Sequence, residues 1–179
     1  GYFNAVSSQV RHHLARLNAS GSLDTTFDPG VVQSDYAIVY SIVVQPNGKV
    51  LVGGNFTQYD GIDRSGIARA NADGSIDPTF NPGDGANDTV YALALQPNGK
   101  VLLAGAFDSY NGVDRWSIAR ANGNGSLDTS FDPGAGADDL IMAMARQPNG
   151  KVLIGGSFTT YDNVGRNRIA RVNAFGYYV

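Results

Sequence analysis

The sequence lacks several residue types, and each absence excludes a class of fold or site. With no cysteine among its 179 residues, the chain cannot form disulfides, thiolate metal sites or a cysteine nucleophile. It has no glutamate and only three lysines, so it is poor in strong helix formers, which argues against an all-α fold. The longest apolar stretch, residues 36–44, is half of the ~18 residues that a membrane-spanning helix needs. We therefore predict no membrane span.

Charge and apolar content narrow the possibilities further. The formal net charge of −3 argues against a protein that binds nucleic acid through a basic face, so no nucleic-acid partner is predicted. Apolar residues make up 42% of the chain, which is enough to bury a core and excludes a disordered segment. The 23 glycines are typical of a chain with many tight turns.

The sequence repeats itself with a period of about 51 residues. Gln-Pro-Asn-Gly-Lys occurs at 45–49, 96–100 and 147–151, and each copy is followed by Val-Leu and then Gly-x-Phe. Thirteen residues after each Phe, an Arg closes an apolar-Ala-Arg triplet, and Phe-Asp/Asn-Pro-Gly ends each full unit. The chain thus forms one array of about 3.5 units, divided into the ranges 1–35 (partial), 36–86, 87–137 and 138–179 (incomplete).

Each unit is predicted to contain four short antiparallel strands. In the third unit the strands are expected at 90–95, 100–107, 117–121 and 127–131, with a polar loop between the second and the third. We interpret the Asn-Gly pair between the first two strands as a type I′ hairpin turn. The turn residues of the three copies are Asn47 and Gly48, Asn98 and Gly99, and Asn149 and Gly150.

This pattern predicts an all-β fold built of β-propeller blades. Tandem four-stranded repeats of about 51 residues bury their faces only by stacking on one another. A β-solenoid is the alternative, although solenoid coils are usually shorter and lack paired hairpin turns. Three units and a fraction fall short of the ~4–8 blades of a propeller, so we do not expect this chain to close a ring alone. The remaining blades are expected from other copies of the chain or from further repeats of a longer parent.

The repeated motif resembles the bacterial delta-60 repeat. The resemblance rests on residues 45–56 and 64–83 and on their two further copies, and it covers nearly the whole chain. It implies β-propeller-type repeats of an exported or cell-surface bacterial protein, and it carries over no catalytic residues. The sequence departs from the pattern at Arg146, where the other copies have Val44 and Leu95, and in the tail 175–179, where a fourth strand is in doubt.

Recurring charged residues are interpreted as structural. An arginine and an aspartate return at the same two places in each full unit, as Arg69 with Asp77 and as Arg120 with Asp128. A cross-strand ion pair would explain both series. A second series, Arg11, Arg64, Arg115 and Arg166, is expected to brace a loop. Because an active site is usually a singular feature, we predict a protein that is not an enzyme and has no catalytic residues.

Metal and cofactor sites are not predicted either. The segment around Asp73 superficially resembles the start of a calcium loop, but the alternate oxygen ligands and the closing acid are missing. The acidic loops 84–88 and 138–139 are a second place where calcium could bind, although a hairpin turn and an ordinary exposed loop explain these segments as well.

Candidate ligand-binding residues lie between each Phe and the following Arg. Two adjacent positions there vary from unit to unit, which core positions would not tolerate, so we expect them to face solvent. The candidates from these positions are His12, Trp116, Asn167 and Arg168. Three tyrosines recur nearby, at Tyr59, Tyr110 and Tyr161, and either stack on a ligand or pack at the base of the loop.

Two classes of function follow from this pattern. The first is an extracellular or cell-surface module that mediates adhesion, or that binds a glycan or a protein, through loops on one rim. The alternative is a structural spacer or fibre-forming repeat without a ligand of its own. Binding is favoured if the variable positions share one rim, and a spacer is favoured if they scatter.

Overall fold

The computed structural model describes residues 1–34 and 36–179; Asp35, the last residue of the predicted first unit, lies outside the described residues. The described residues form eighteen β-strands and no helix, so none of them provides a helix that could cross a membrane. Every strand pair is antiparallel, as predicted for propeller blades rather than for the parallel coils of a β-solenoid. The all-β fold is confirmed.

The strands fall into the same pattern in each unit. The first unit contributes β1 (Ala5–Val6) and β2 (Gln9–Val10). The second, counted with the linker that leads into it from the end of the range 1–35, contains β3 (Val32–Gln33), β4 (Ile38–Val44), β5 (Val50–Asn55), β6 (Gln58–Tyr59), β7 (Ile62–Asp63) and β8 (Ile67–Ala70). The third contains β9 (Val90–Leu95), β10 (Val101–Gly105), β11 (Ser109–Tyr110), β12 (Val113–Asp114) and β13 (Ile118–Ala121). The fourth contains β14 (Ile141–Arg146), β15 (Val152–Gly156), β16 (Thr160–Tyr161), β17 (Val164–Gly165) and β18 (Ile169–Val172).

Each full unit has a three-stranded sheet in place of four complete strands. The sheets have the orders β4-β5-β8, β9-β10-β13 and β14-β15-β18. The fourth strand is reduced to one isolated bridge, such as that between Ala70 and Ile76. The strand ends there because Asp77 starts a turn: its carbonyl accepts a hydrogen bond from the Phe80 amide at 3.2 Å, and its Oδ1 accepts one from the Thr79 amide at 3.0 Å.

The segment predicted as a polar loop is a two-stranded hairpin. It pairs β1 with β2, β6 with β7, β11 with β12 and β16 with β17. Both central residues of each hairpin have positive φ, which is the backbone of a type I′ turn. These central pairs are Ser7-Ser8, Asp60-Gly61, Asn111-Gly112 and Asp162-Asn163. The type I′ turns of this protein therefore lie here.

The prediction of a type I′ turn in Gln-Pro-Asn-Gly-Lys is wrong. Only Gly48 has a positive φ, at 80°, and its amide donates to the Gln45 carbonyl at 2.9 Å. Pro46 holds φ negative at the first central position, which a type I turn accepts and a type I′ turn does not. The result is a type I turn over Pro46 and Asn47, followed by glycine in the left-handed region. Gly99 and Gly150 repeat it.

The hydrophobic core lies between units rather than within them. Leu51 and Ile67 of the second unit pack in one cluster with Val90, Leu103 and Phe107 of the third. Equivalent clusters join the first unit to the second and the third to the fourth. Each sheet thus buries its faces against its neighbours, which is the stacking that repeat proteins depend on.

The tail keeps the backbone pattern in spite of its different side chains. The Val179 amide donates to the Arg171 carbonyl at 2.9 Å, as the Asp128 amide does to the Arg120 carbonyl at 2.8 Å. Val172 and Tyr178 form the outer bridge. The tail therefore forms the same outer bridge as the other units. The Val179 side chain, however, cannot supply the carboxylate that Asp128 offers to Arg120.

The two ends of the strands differ in what they carry. Val50 at the start of β5 pairs with Ala70 at the end of β8, so the turns 45–49 and 71–75 are level with each other. We call these turns and their equivalents the turn edge. The two-stranded hairpins and the linkers into β4, β9 and β14 are attached at the opposite end, where β5 ends and β8 begins, and we call these hairpins and linkers the hairpin edge.

Candidate functional site

The hairpin edge is an ordered surface because the hairpins of the second, third and fourth units each pair with a neighbouring linker. In the second unit β3 pairs with β6, and the Asp60 amide donates to the Val31 carbonyl at 2.8 Å. Bridges between Ala86 and Tyr110 and between Ala137 and Tyr161 repeat this pairing. Backbone hydrogen bonds therefore fix the segments from which the side chains of this edge project.

The recurring tyrosines do not face a ligand, which corrects one of the two interpretations of Tyr59, Tyr110 and Tyr161. All three side chains are fully buried, and burial raises the pKa of each phenol. Their hydroxyls donate to the carbonyls of Gly74, Gly125 and Gly176 at 2.8, 2.6 and 2.7 Å. They link the hairpin to the outer turn of the same unit and pack at the base of the loop.

The first of the two variable positions is at least partly exposed in every unit, whereas the second is buried in every unit but the last. The second has a left-handed backbone in every unit, with φ of 66° at His13, 70° at Gly66, 62° at Ser117 and 65° at Arg168. Its carbonyl accepts a backbone hydrogen bond, as Ser117 does from Gly105 at 3.0 Å. His13 and Ser117 are buried, so solvent exposure was wrongly predicted for them, while Arg168 is exposed.

The first variable position is where the units differ on the surface. Trp116 leaves half of its side chain exposed, and its carbonyl accepts a hydrogen bond from the Ala137 amide at 3.3 Å. Asn167 is exposed, and Ser65 and His12 are partly exposed at the equivalent places. The predicted candidates Trp116, His12 and Asn167 therefore occupy one repeating position on the hairpin edge.

The arginines that precede these positions brace the hairpin, as predicted. The Nη1 atoms of Arg64 and Arg115 donate to the carbonyls of Asp63 and Asp114, both at 2.7 Å. Arg166 makes the equivalent bond to Gly165 at 2.5 Å. The guanidinium groups are thus engaged with the hairpin that carries them.

Two of the acids considered for calcium already accept several hydrogen bonds from other residues. Asp73 Oδ1 accepts hydrogen bonds from the Ser75 amide at 3.0 Å and the Ser75 hydroxyl at 2.7 Å. Asp138 accepts bonds from the Thr159 hydroxyl and from the Thr159 and Thr160 amides, which lower its pKa to about 2. Within residues 1–34 and 36–179, no group of three or more His or Asp side chains is placed to hold a metal ion.

A cleft on the hairpin edge of the second unit was not predicted from the sequence. Its volume is about 490 Å³, and its lining residues are Gln33, Ser34, Tyr36, Asn55, Thr57 and Gln58. The available signal was length: the interval before the first Gln-Pro-Asn-Gly-Lys is two residues longer than in the other units, in the segment 31–37. A longer linker at one place in a regular array is a singular feature, and it lies beside this cleft.

Comparison with known proteins identifies the family. The family described as "Domain of unknown function (DUF5122) beta-propeller" matches residues 1–27, 45–80, 96–131 and 147–176. No curated protein and no solved structure matches the chain. The matched family is related to the delta-60 repeat type, although the match does not carry that name. The four matched segments span more than half of the chain, and the protein therefore belongs to the DUF5122 β-propeller family.

Proposed function

We propose that this β-propeller repeat domain is a non-enzymatic recognition module that binds a glycan or a protein through its hairpin edge. The setting we propose is the surface or exterior of a bacterial cell, where such a module mediates adhesion. The rest of each unit then serves as a scaffold, with further blades from other copies of the chain or from a longer parent.

One observation carries this proposal. Side chains that vary from unit to unit and reach solvent occur at one repeating position of the hairpin edge, represented by Trp116 and Asn167. The large buried residues around them, such as Phe107 and Tyr110, have equivalents in the other units, Phe56 with Tyr59 and Phe158 with Tyr161. Constant scaffolds with variable loop positions are typical of binding proteins. A half-exposed tryptophan also has the apolar area and the polar N–H that make this residue common at binding hot spots.

The non-enzymatic part of the proposal rests on the repeated polar residues. Asp77 and Asp128 make the same ion pairs in their respective units, and the tyrosine hydroxyls make the same buried hydrogen bond in theirs. A catalytic group would need a free reactive atom in a singular surrounding. In this protein these groups are occupied by ion pairs and hydrogen bonds within their own units.

A matched pair of variants tests the proposal. Trp116 and Tyr177 are both half exposed, but Trp116 lies on the hairpin edge and Tyr177 lies on the turn edge. We expect the wild type to be retained on at least one of insoluble cellulose, chitin, peptidoglycan or collagen. Trp116→Ala should weaken this retention at least about tenfold, the loss typical of a hot spot, whereas Tyr177→Ala should leave it unchanged. Retention on none of these surfaces, or an equal loss in both variants, would contradict recognition by the hairpin edge.

A structural spacer is the second candidate, and the contacts between units favour it. Arg69 Nη1 donates to the Gly123 carbonyl at 2.7 Å, and Arg120 Nη1 donates to the Ala174 carbonyl of the following unit. Contacts of this kind fix the position of each unit relative to the next and stiffen an array. If no surface retains the protein, the spacer becomes the better account.

A further inference from the structure

The cleft of the second unit differs from the rest of the hairpin edge in the hydrogen bonds that one side chain, Gln33, makes. Gln33 follows Val32, which pairs with Tyr59. Asn87 and Asp138 follow the residues that pair with Tyr110 and Tyr161, so these three residues are structurally equivalent. The three side chains differ in their hydrogen bonds.

In the third and fourth units this side chain closes its own loop. Asn87 Oδ1 accepts hydrogen bonds from the Asp108 and Ser109 amides, both at 3.1 Å. Asp138 Oδ1 accepts the corresponding bonds from the Thr159 and Thr160 amides, both at 2.8 Å. The side chain is therefore fully used in holding the hairpin against the linker.

In the second unit the main chain takes over that role. The Thr57 amide and the Thr57 hydroxyl donate to the Gln33 carbonyl at 3.0 and 3.3 Å. Among the described residues, the Gln33 side-chain amide has no hydrogen-bond partner, and it lines the cleft. The longer linker thus releases one amide side chain, with its two donors and its acceptor, into a cavity.

The remaining described lining residues offer side-chain amides and an aromatic ring. Gln58 Nε2 is held by Asp63 Oδ1 at 2.8 Å, which leaves Gln58 Oε1 as an acceptor. Asn55 is exposed, and among the described residues its side chain makes one long contact of 3.5 Å, from Nδ2 to the Tyr36 carbonyl. The Tyr36 side chain is 75% exposed and offers an aromatic face. Among the described residues, none of those that line the cleft carries a charge.

We propose that this cleft binds a carbohydrate, with the amides of Gln33, Asn55 and Gln58 bonding sugar hydroxyls and the Tyr36 ring covering an apolar face of the sugar. A sugar hydroxyl both donates and accepts, which suits side-chain amides, and the C–H groups of a pyranose ring form an apolar patch that an aromatic ring can cover. The volume lies within the ~300–1,000 Å³ usual for small-molecule sites. This inference deepens the proposed recognition function and rests on it.

The test measures binding of free sugars to the full chain. Saturation-transfer-difference NMR is recorded with glucose, galactose, mannose, N-acetylglucosamine and cellobiose at millimolar concentration. We expect saturation transfer to at least one of these sugars, and at least a fivefold weaker binding constant in both Gln33→Ala and Tyr36→Ala. Because the Gln33 carbonyl holds the loop, Gln33→Ala should keep the melting temperature of the wild type.

Asn87→Ala is the matched control, because it removes the equivalent side chain where that side chain closes the loop. We expect it to lower the melting temperature and to leave sugar binding unchanged, which is the reverse of Gln33→Ala. No transfer to any of the five sugars, or transfer that Gln33→Ala leaves intact, would overturn the proposal.

The outcomes also separate this inference from the wider function. If the protein is retained on a surface through Trp116 but binds no free sugar, the cleft proposal fails and recognition by the hairpin edge stands. If sugars bind in a manner that depends on Gln33 while Trp116→Ala has no effect, the cleft is the binding site and the role of Trp116 is wrong.

Discussion

Arg69 Nε donates to Asp77 Oδ2 at 2.6 Å, across the outer turn of the second unit. The same oxygen accepts a hydrogen bond from Lys49 Nζ at 2.7 Å, and the Arg69 guanidinium lies 4.9 Å from the centre of the Phe80 ring. Through Nη1, Arg69 also reaches the next unit, at the Gly123 carbonyl. The Arg69 side chain thus bonds both to its own unit and to the following one. Arg120 and Asp128 repeat the arrangement, which confirms the ion pairs predicted for both units.

Replacement of Arg69 should destabilise the protein far more than replacement of Arg16. The Arg69 side chain is only 10% exposed, whereas that of Arg16, which makes the same contacts in the first unit, is 41% exposed. Removing one partner of a buried ion pair leaves the other charge without compensation and costs about 3 kcal/mol or more. We expect Arg69→Ala to lose about that much unfolding free energy in urea titrations, and Arg16→Ala to lose clearly less. Similar losses would show that the burial of the Arg69–Asp77 pair does not add to the cost of its removal.

The buried aspartates should make stability fall with acidification. Burial raises the pKa of Asp77 and Asp128, but hydrogen bonds from Lys, Arg and Thr or Ser neighbours outweigh burial and hold both pKa values well below the usual range. Their contribution is present above the unfolded pKa of about 3.9 and is lost as the pH falls towards the folded value. We expect the urea midpoint to drop between about pH 5 and pH 3. Asp128→Asn should start lower and show a flatter dependence; an unchanged slope would contradict this assignment.

Two glycines with similar backbone angles should respond differently to alanine. Gly99 (φ 79°) has no neighbouring atom within 4 Å of where a Cβ would lie, whereas at Gly125 (φ 93°) a Cβ would lie 2.7 Å from the Asn81 carbonyl carbon. Both variants carry the cost of a left-handed alanine, about 1–2 kcal/mol. Gly125→Ala should cost more, because it also displaces the Asn81 amide from its 2.7 Å bond to the Asn124 carbonyl. Thermal unfolding measures both, and equal melting temperatures would argue against this close approach of neighbouring units.

The buried tyrosines should resist ionisation until the protein unfolds. Burial raises the pKa of Tyr59, Tyr110 and Tyr161, so their neutral forms stabilise the fold up to the unfolded pKa of about 10, and this contribution is lost at higher pH. Alkaline absorbance titration should show a late, cooperative phase from these three of the nine tyrosines. Tyr110→Phe should shrink that phase and lower stability by about 1–3 kcal/mol, since the Gly125 carbonyl loses its partner. Tyr177→Phe, at an exposed site, serves as the control.

Much of the architecture could be predicted from the repeat alone. The strand Val90–Leu95 lies where the alternation of large and small residues places it, because a strand between two neighbours needs apolar side chains on both faces. The pairing of Arg69 with Asp77 and of Arg120 with Asp128 was predictable because both series recur at constant spacing. The exposure of Trp116 was also predictable, since a position that changes so much in volume cannot lie in a packed core.

Local sequence patterns do not determine the turn type where the same dipeptide occurs in two different surroundings. Asn47-Gly48 and Asn111-Gly112 both carry an Asn-Gly pair, yet only the second forms a type I′ turn. Pro46 excludes positive φ at the first central position of its turn, while Asn111 adopts a φ of 49°. The two-residue strands beside Asn111 are too short for any periodicity to show, so that hairpin could not be predicted from the sequence.

The sequence by itself determined the repeat, the all-β fold and the recurring ion pairs, because these depend on spacing and on residue chemistry that are printed in the chain. The stacking of units decided the rest. Tyr59 is an aromatic residue in a polar segment, and only the neighbouring unit and the Gly74 carbonyl turn it into a buried residue. Gln33 is free to face a cleft only because the longer linker places its carbonyl where Asn87 places its side chain. Such choices depend on distances between segments far apart in sequence, and tertiary packing alone decides them.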